Sequence, residues 1–104
     1  MGNSLFNPYP IYPDPVFYVV VPARLNPSDK IRSGRYSLNM CRDFMVLEQN
    51  SRVRKVAYED ILSWTRTLEH EKVTTKEGTI VFSRPPGLSK IRAGIQKEYG
   101  FASE

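Results

Sequence analysis

One cysteine, one histidine, one tryptophan and six scattered glycines leave this chain poor in the residues from which reactive sites are built. A single Cys cannot close an internal disulfide, so a disulfide-stapled fold is excluded and a reducing, cytoplasmic setting is the expectation. One His with one Cys does not make a closed zinc site. Nucleophilic catalysis would need Cys41 beside His70, yet both read as turn residues far apart in sequence, with no third group suggested. His70 lies between Glu69 and Glu71, which reads as a solvated charged turn. The glycines form no phosphate-cradling loop. No apolar run approaches the ~20 residues that span a bilayer. The N-terminus lacks a basic region followed by an apolar core, and Phe6 stands where a myristoylation signal beginning Met1-Gly2 wants Ser or Thr. The expectation is a chain with no cofactor, no bound metal, no small-molecule substrate and no catalytic residues.

What is present is enough for one folded unit. The chain has 104 residues, 40% of them hydrophobic and 25% charged, which suits a single domain with one core. The net charge of +4 is unevenly spread. Residues 24–35 set Arg24, Lys30, Arg32 and Arg35 against Asp29, and residues 51–55 add Arg52, Arg54 and Lys55. Each segment is +3, so the remaining chain is −2. Local positive charge of this kind points to an anionic partner. Nucleic acid is the less suitable one, because no aromatic pair alternates with the basic residues as a stacking platform requires.

Residues 1–15 hold four of the eight prolines, and proline fixes φ and removes the amide donor, so this stretch reads as an extended arm. It suits a ligand for an aromatic-lined groove, a linker, or an arm packed on the domain through Phe6, Tyr9 and Tyr12. The domain itself is expected over 16–104. Val16–Ala23 is the strongest strand signal, β-branched and aromatic throughout. Its apolar residues fall on both faces, which suggests cover on both, under the arm or a terminal helix. Pro22 places its end at an edge or bulge. In Gly34–Leu47, Tyr36, Leu38 and Met40 alternate with Ser37 and Asn39, and Phe44–Leu47 follows after Cys41-Arg42-Asp43. Two strands joined so briefly must pair antiparallel. Val53–Tyr58, Ile61–Thr67, Lys72–Lys76 and Thr79–Ser83 read as four more strands, separated by Asn50-Ser51, Glu59-Asp60, Glu69-His70-Glu71 and Glu77-Gly78. After Pro85-Pro86-Gly87 the period changes. Leu88, Ile91, Ile95 and Tyr99 form one helical stripe, with Gly94 suggesting close approach to a strand and Gly100 a C-terminal stop. Seven strands and one amphipathic helix predict a mostly β, antiparallel sandwich or partly open barrel capped by the helix.

The runs Phe17-Tyr18-Val19-Val20-Val21, Gly34-Arg35-Tyr36-Ser37-Leu38, Val46-Leu47 and Ile61-Leu62-Ser63-Trp64, with the terminal helix, resemble the pleckstrin-homology-like superfold. Within it, the third lobe of FERM domains and the insulin-receptor-substrate type of phosphotyrosine-binding (PTB) domain look closest, over residues 16–101. The resemblance implies a non-catalytic adaptor or scaffold module. Its protein or peptide ligand, or a neighbouring lobe, would lie along the fifth strand and the helix, against Ile61, Ser63, Thr65, Arg66, Arg92 and Gln96. The arginine-rich runs of the insulin-receptor-substrate type are replaced here by Trp64-Thr65-Arg66-Thr67, leaving Arg66 and Arg84 as the guanidinium groups near that pocket. The same resemblance implies an alternative, in which anionic membrane lipids, phosphoinositides in particular, bind loops 24–35 and 51–55 through Arg24, Lys30, Arg32, Arg35, Arg52, Arg54 and Lys55. A peripheral place at membrane or cytoskeleton goes with either reading.

Overall fold

The computed structural model describes residues 15–26 and 31–102. The arm (apart from Pro15), Lys30 and the rest of 27–30, and residues 103–104 lie outside the described residues. Among the described residues, seven strands run antiparallel in two sheets: β1 (Val16–Val21), β2 (Gly34–Met40), β3 (Phe44–Gln49) and β4 (Arg52–Ala57) in one, β5 (Ile61–Arg66), β6 (His70–Thr75) and β7 (Gly78–Ser83) in the other. Each sheet is an up-and-down meander in chain order, as short turns require. The helix α1 (Leu88–Tyr99) follows. The sheets face each other as a sandwich and do not close into a barrel.

Strand alternation decides what is buried. In the first sheet Val19 pairs with Tyr36, Leu38 with Leu47 and Met45 with Val56, and these side chains form the inner face. In the second, Trp64 pairs with Val73 and Val73 with Ile80, and Phe82 joins them. Burying side chains of this size is the main stabilising term, at roughly 1.5–3 kcal/mol each. The two sheets meet at one corner, where the Val20 amide of β1 donates to the Ser83 hydroxyl at 2.8 Å. The helix closes one end. Leu88 is fully buried, and Ile91, Ile95 and Tyr99 pack on the core as the stripe predicts. The Tyr99 ring meets Tyr58 edge-on at 5.6 Å between centroids, and its hydroxyl donates to Asp43 at 3.3 Å. Gly100, at φ 74°, ends the helix in the left-handed conformation expected of a C-terminal glycine.

Three expectations need correction. Glu69-His70-Glu71 is not a solvated turn: β6 begins at His70, and Glu71 is 0% exposed. β1 is not covered on both faces, since Val16, Tyr18 and Val20 point outward and Tyr18 is 80% exposed. Gly94 does not approach a strand, for a Cβ placed there would meet nothing within 4 Å. In each case the local pattern was compatible with two surroundings, and only the packing selects between them.

Candidate interaction surfaces

The free edge of β5, beside α1, is already in use over part of its length. Beyond Gly100 the chain turns back, and Ala102 forms a parallel bridge with Ser63. The Trp64 amide donates to the Ala102 carbonyl at 2.9 Å, and the Ala102 amide to the Leu62 carbonyl at 3.4 Å. Phe101 is 7% exposed and stacks on Trp64, with centroids 6.1 Å apart and planes at 24°. Backbone groups alternate along a strand, so the Trp64 carbonyl and the Arg66 amide face this same edge. The Thr67 amide, one residue on, donates the other way to His70 of β6 at 2.8 Å.

The expected peptide-binding residues divide accordingly. Ser63, Thr65 and Arg66 stand along the edge strand, half-buried or exposed. Ile61 is a correction: the register shift between Ile61 and Ser63 turns its side chain into the core on the same side as Trp64, at 6% exposure, where it cannot line a groove. On the helix, Gln96 donates to the Phe101 carbonyl at 3.4 Å, helping to hold the returning segment. Arg92 is itself buried, at 6% exposure, and reaches Gln96 Oε1 at 3.5 Å. Burial lowers the pKa of its guanidinium, and the nearby Arg66 and Arg84 lower it further while Glu71 opposes them. Arg66 donates to the Ser89 hydroxyl at 2.7 Å across the gap between β5 and α1. Glu71 lies opposite Arg66 in the β5–β6 register. Its Oε1 accepts from the Trp64 indole at 2.7 Å, and Oε2 lies 3.7 Å from Arg84 Nε.

The opposite end of the sandwich, away from the helix, gathers part of the expected basic set. Tyr36 donates its hydroxyl to the Arg32 carbonyl at 2.6 Å. Arg52, Arg32 and Arg54 all lie near enough to favour its phenolate, although burial outweighs them and raises the pKa overall. Register explains the grouping. Arg54 pairs with Leu47 and Arg52 with Gln49, so both belong to the inward-facing row of β4 where the sheet runs out of core. The Gln49 amide ties this end together by donating to the Ser33 and Arg35 carbonyls at 3.2 and 3.3 Å. It occupies the space a Cβ on Gly34 would need, and Gly34, at φ 125°, has none.

The rest of the basic set is elsewhere. Lys55 is on the outward row, its ammonium 4.0 Å above the Phe44 ring. Arg35 is also outward and lines an open cleft of about 930 Å³ with Tyr18, Val20, Ser37 and Glu48. Arg24 is exposed on a single 3-10 turn at Ala23–Leu25. Strand alternation applied to Arg52, Val53, Arg54 and Lys55 would have separated Lys55 beforehand.

Besides the returning segment at Ala102, two features had no clear sequence signal. Asn26, in what reads as a polar loop, folds against β7: its amide nitrogen donates to the Val81 carbonyl at 3.0 Å and its oxygen accepts the Val81 amide at 3.0 Å. A side chain thus completes the ladder at that edge. The buried Glu71 is the other. Cys41, at the β2–β3 turn, and His70, on β6, sit in different sheets. Comparison of the chain with protein-family models, with curated proteins and with solved structures finds no match, so its surfaces are read from their own chemistry.

Proposed function

We propose that the chain is a non-catalytic interaction module of the pleckstrin-homology-like kind, which docks an extended protein segment on the edge of β5 beside α1. A four-strand meander, a three-strand meander and a closing C-terminal helix support the relationship to FERM third lobes and insulin-receptor-substrate-type PTB domains. The observation that carries the docking reading is the Ala102 bridge, since an edge that accepts one added strand residue has the geometry for strand addition. Beyond Ser63 the Trp64 carbonyl and Arg66 amide continue that edge, and main-chain bonds there would supply affinity while Thr65, Arg66 and Ser89 supply selectivity. The test is to pan a random 12-residue phage library on the full chain and map the selected peptides by amide shifts. Shifts confined to residues 62–67 and α1 are expected. Shifts on β1 and β2 instead would refute edge docking.

A second reading is favoured by the grouping of Arg32, Arg52 and Arg54 around Tyr36. That end of the sandwich suits anionic lipid head groups, each cation near such a surface contributing about 1 kcal/mol. Replacing all three arginines by Ala is expected to abolish flotation with phosphoinositide-bearing vesicles at low salt while leaving the melting temperature unchanged. Binding retained by that variant at moderate salt would rule the reading out.

A further inference from the structure

We propose that the corner where β5 meets the first turn of α1 is a subsite for a side-chain carboxylate, so that the segment docked on β5 is an acidic one. The inference rests on the docking reading above and names the chemistry of its partner. Arg66 ends β5 with one Nη1 bond, to Ser89 Oγ at 2.7 Å, and a guanidinium has five N–H donors in a planar fork. Its cross-strand neighbour Glu71 does not serve it. That carboxylate is fully buried, with one oxygen held by the Trp64 indole and the other facing Arg84. Among the described residues, Arg66 has no carboxylate partner.

Arg84 stands on the far side of Glu71, with one Nη1 donated to the Thr67 carbonyl at 3.1 Å and its side chain partly exposed. Arg92 brings a third guanidinium close enough that Arg66 and Arg84 both disfavour its charge. Three guanidinium groups against the single carboxylate of Glu71 leave the corner net positive, and burial on one side weakens solvent screening of that charge. Ser89 is the second residue of α1, whose N-cap Gly87 provides no capping side chain, so the positive end of the helix adds to the same potential. A residue paired with the Arg66 amide would carry its side chain within reach of this fork. A carboxylate matches the fork in two parallel hydrogen bonds, which an amide cannot.

The test extends the phage selection to Arg66→Glu and Ser89→Ala. Peptides enriched on the wild-type chain are expected to carry Asp or Glu at one fixed position. Synthetic versions with that acid changed to Asn or Gln should bind about 10- to 100-fold more weakly, the range for a hydrogen bond to a charged group. On Arg66→Glu the preference should reverse to Lys or Arg, whereas Ser89→Ala should keep the acid preference with a several-fold loss. Enrichment without an acid preference, with shifts still confined to residues 62–67 and α1, overturns the subsite and leaves edge docking standing. Shifts elsewhere, or no enrichment at all, overturn edge docking and the subsite together. Should Arg66→Glu fail to give a folded amide spectrum, the acid-to-amide peptide pair on the wild-type chain decides alone.

Discussion

Replacing Phe101 by Ala asks how firmly the returning segment is held on β5. Its ring is 7% exposed and stacked on Trp64, and the segment is anchored further by two backbone bonds from Ala102 to β5. A buried Phe→Ala change costs about 3–5 kcal/mol when the surroundings cannot collapse into the space. Phe101 lies just past the last helical turn, joined through Gly100, so the segment can detach without unravelling the sheets. That limits the loss to what the segment itself contributes, which places the expectation at the low end, about 3 kcal/mol. For a domain of this size the melting temperature should fall by roughly 12–24 °C.

Hydrogen exchange then reads the loss amide by amide. The Trp64 amide has Ala102 as its acceptor and should exchange on the order of 100-fold faster in Phe101→Ala under native conditions. Amides of β6 and β7, paired within their own sheet, should speed up only as far as global stability has fallen. A melting temperature lowered by less than about 4 °C, with Trp64 amide protection unchanged, would mean the ring adds nothing to docking. Strand addition at this edge would then lack an energetic basis.

Two further perturbations test the core and its polar neighbours. Trp64→Ala should cost about 3–5 kcal/mol in urea unfolding. Trp64→Phe keeps most of the volume but strands Glu71 Oε1, and should cost about 1–3 kcal/mol; equal losses from the two would show that ring volume is not what matters. At alkaline pH, burial raises the Tyr36 pKa above its ordinary value of 10.0, and burial together with Asp43 does the same for Tyr99. The folded chain then holds protons that the unfolded chain releases. The stability this confers is complete below pH 10.0 and is lost as pH rises through the folded values. Tyr36→Phe should flatten that decline in unfolding measured across roughly pH 9 to 11, and a decline as steep as in the wild type would contradict the assignment.

Much of the architecture was legible because it is written at short range. The alternation of Tyr36, Leu38 and Met40 and the stripe of Leu88, Ile91, Ile95 and Tyr99 reflect the 2.0 and 3.6 periods of strand and helix. Both elements stand where those periods put them. Glu71 reads as solvated from its neighbours alone, because nothing within a few residues of it shows that Trp64 and Arg84 will receive its carboxylate. The basic segments read as two loops, whereas strand alternation divides them, taking Arg52 and Arg54 to one end of the core and Lys55 to the outer face. The returning segment Phe101–Ala102 carried no strand signal of its own, since a single bridging residue has no period.

The order of residues alone determined that seven strands and a helix form, that neighbouring strands pair antiparallel, and which face of β2 and of the helix turns inward. These follow from backbone geometry and from side chains a few positions apart. Tertiary structure alone decided that Ala102 would pair with Ser63, that Asn26 would complete the edge of β7, and that Arg66, Ser89, Glu71, Arg84 and Arg92 would share one corner. Each of those contacts joins parts of the chain whose meeting depends on how the sheets and helix pack, and no local period encodes that.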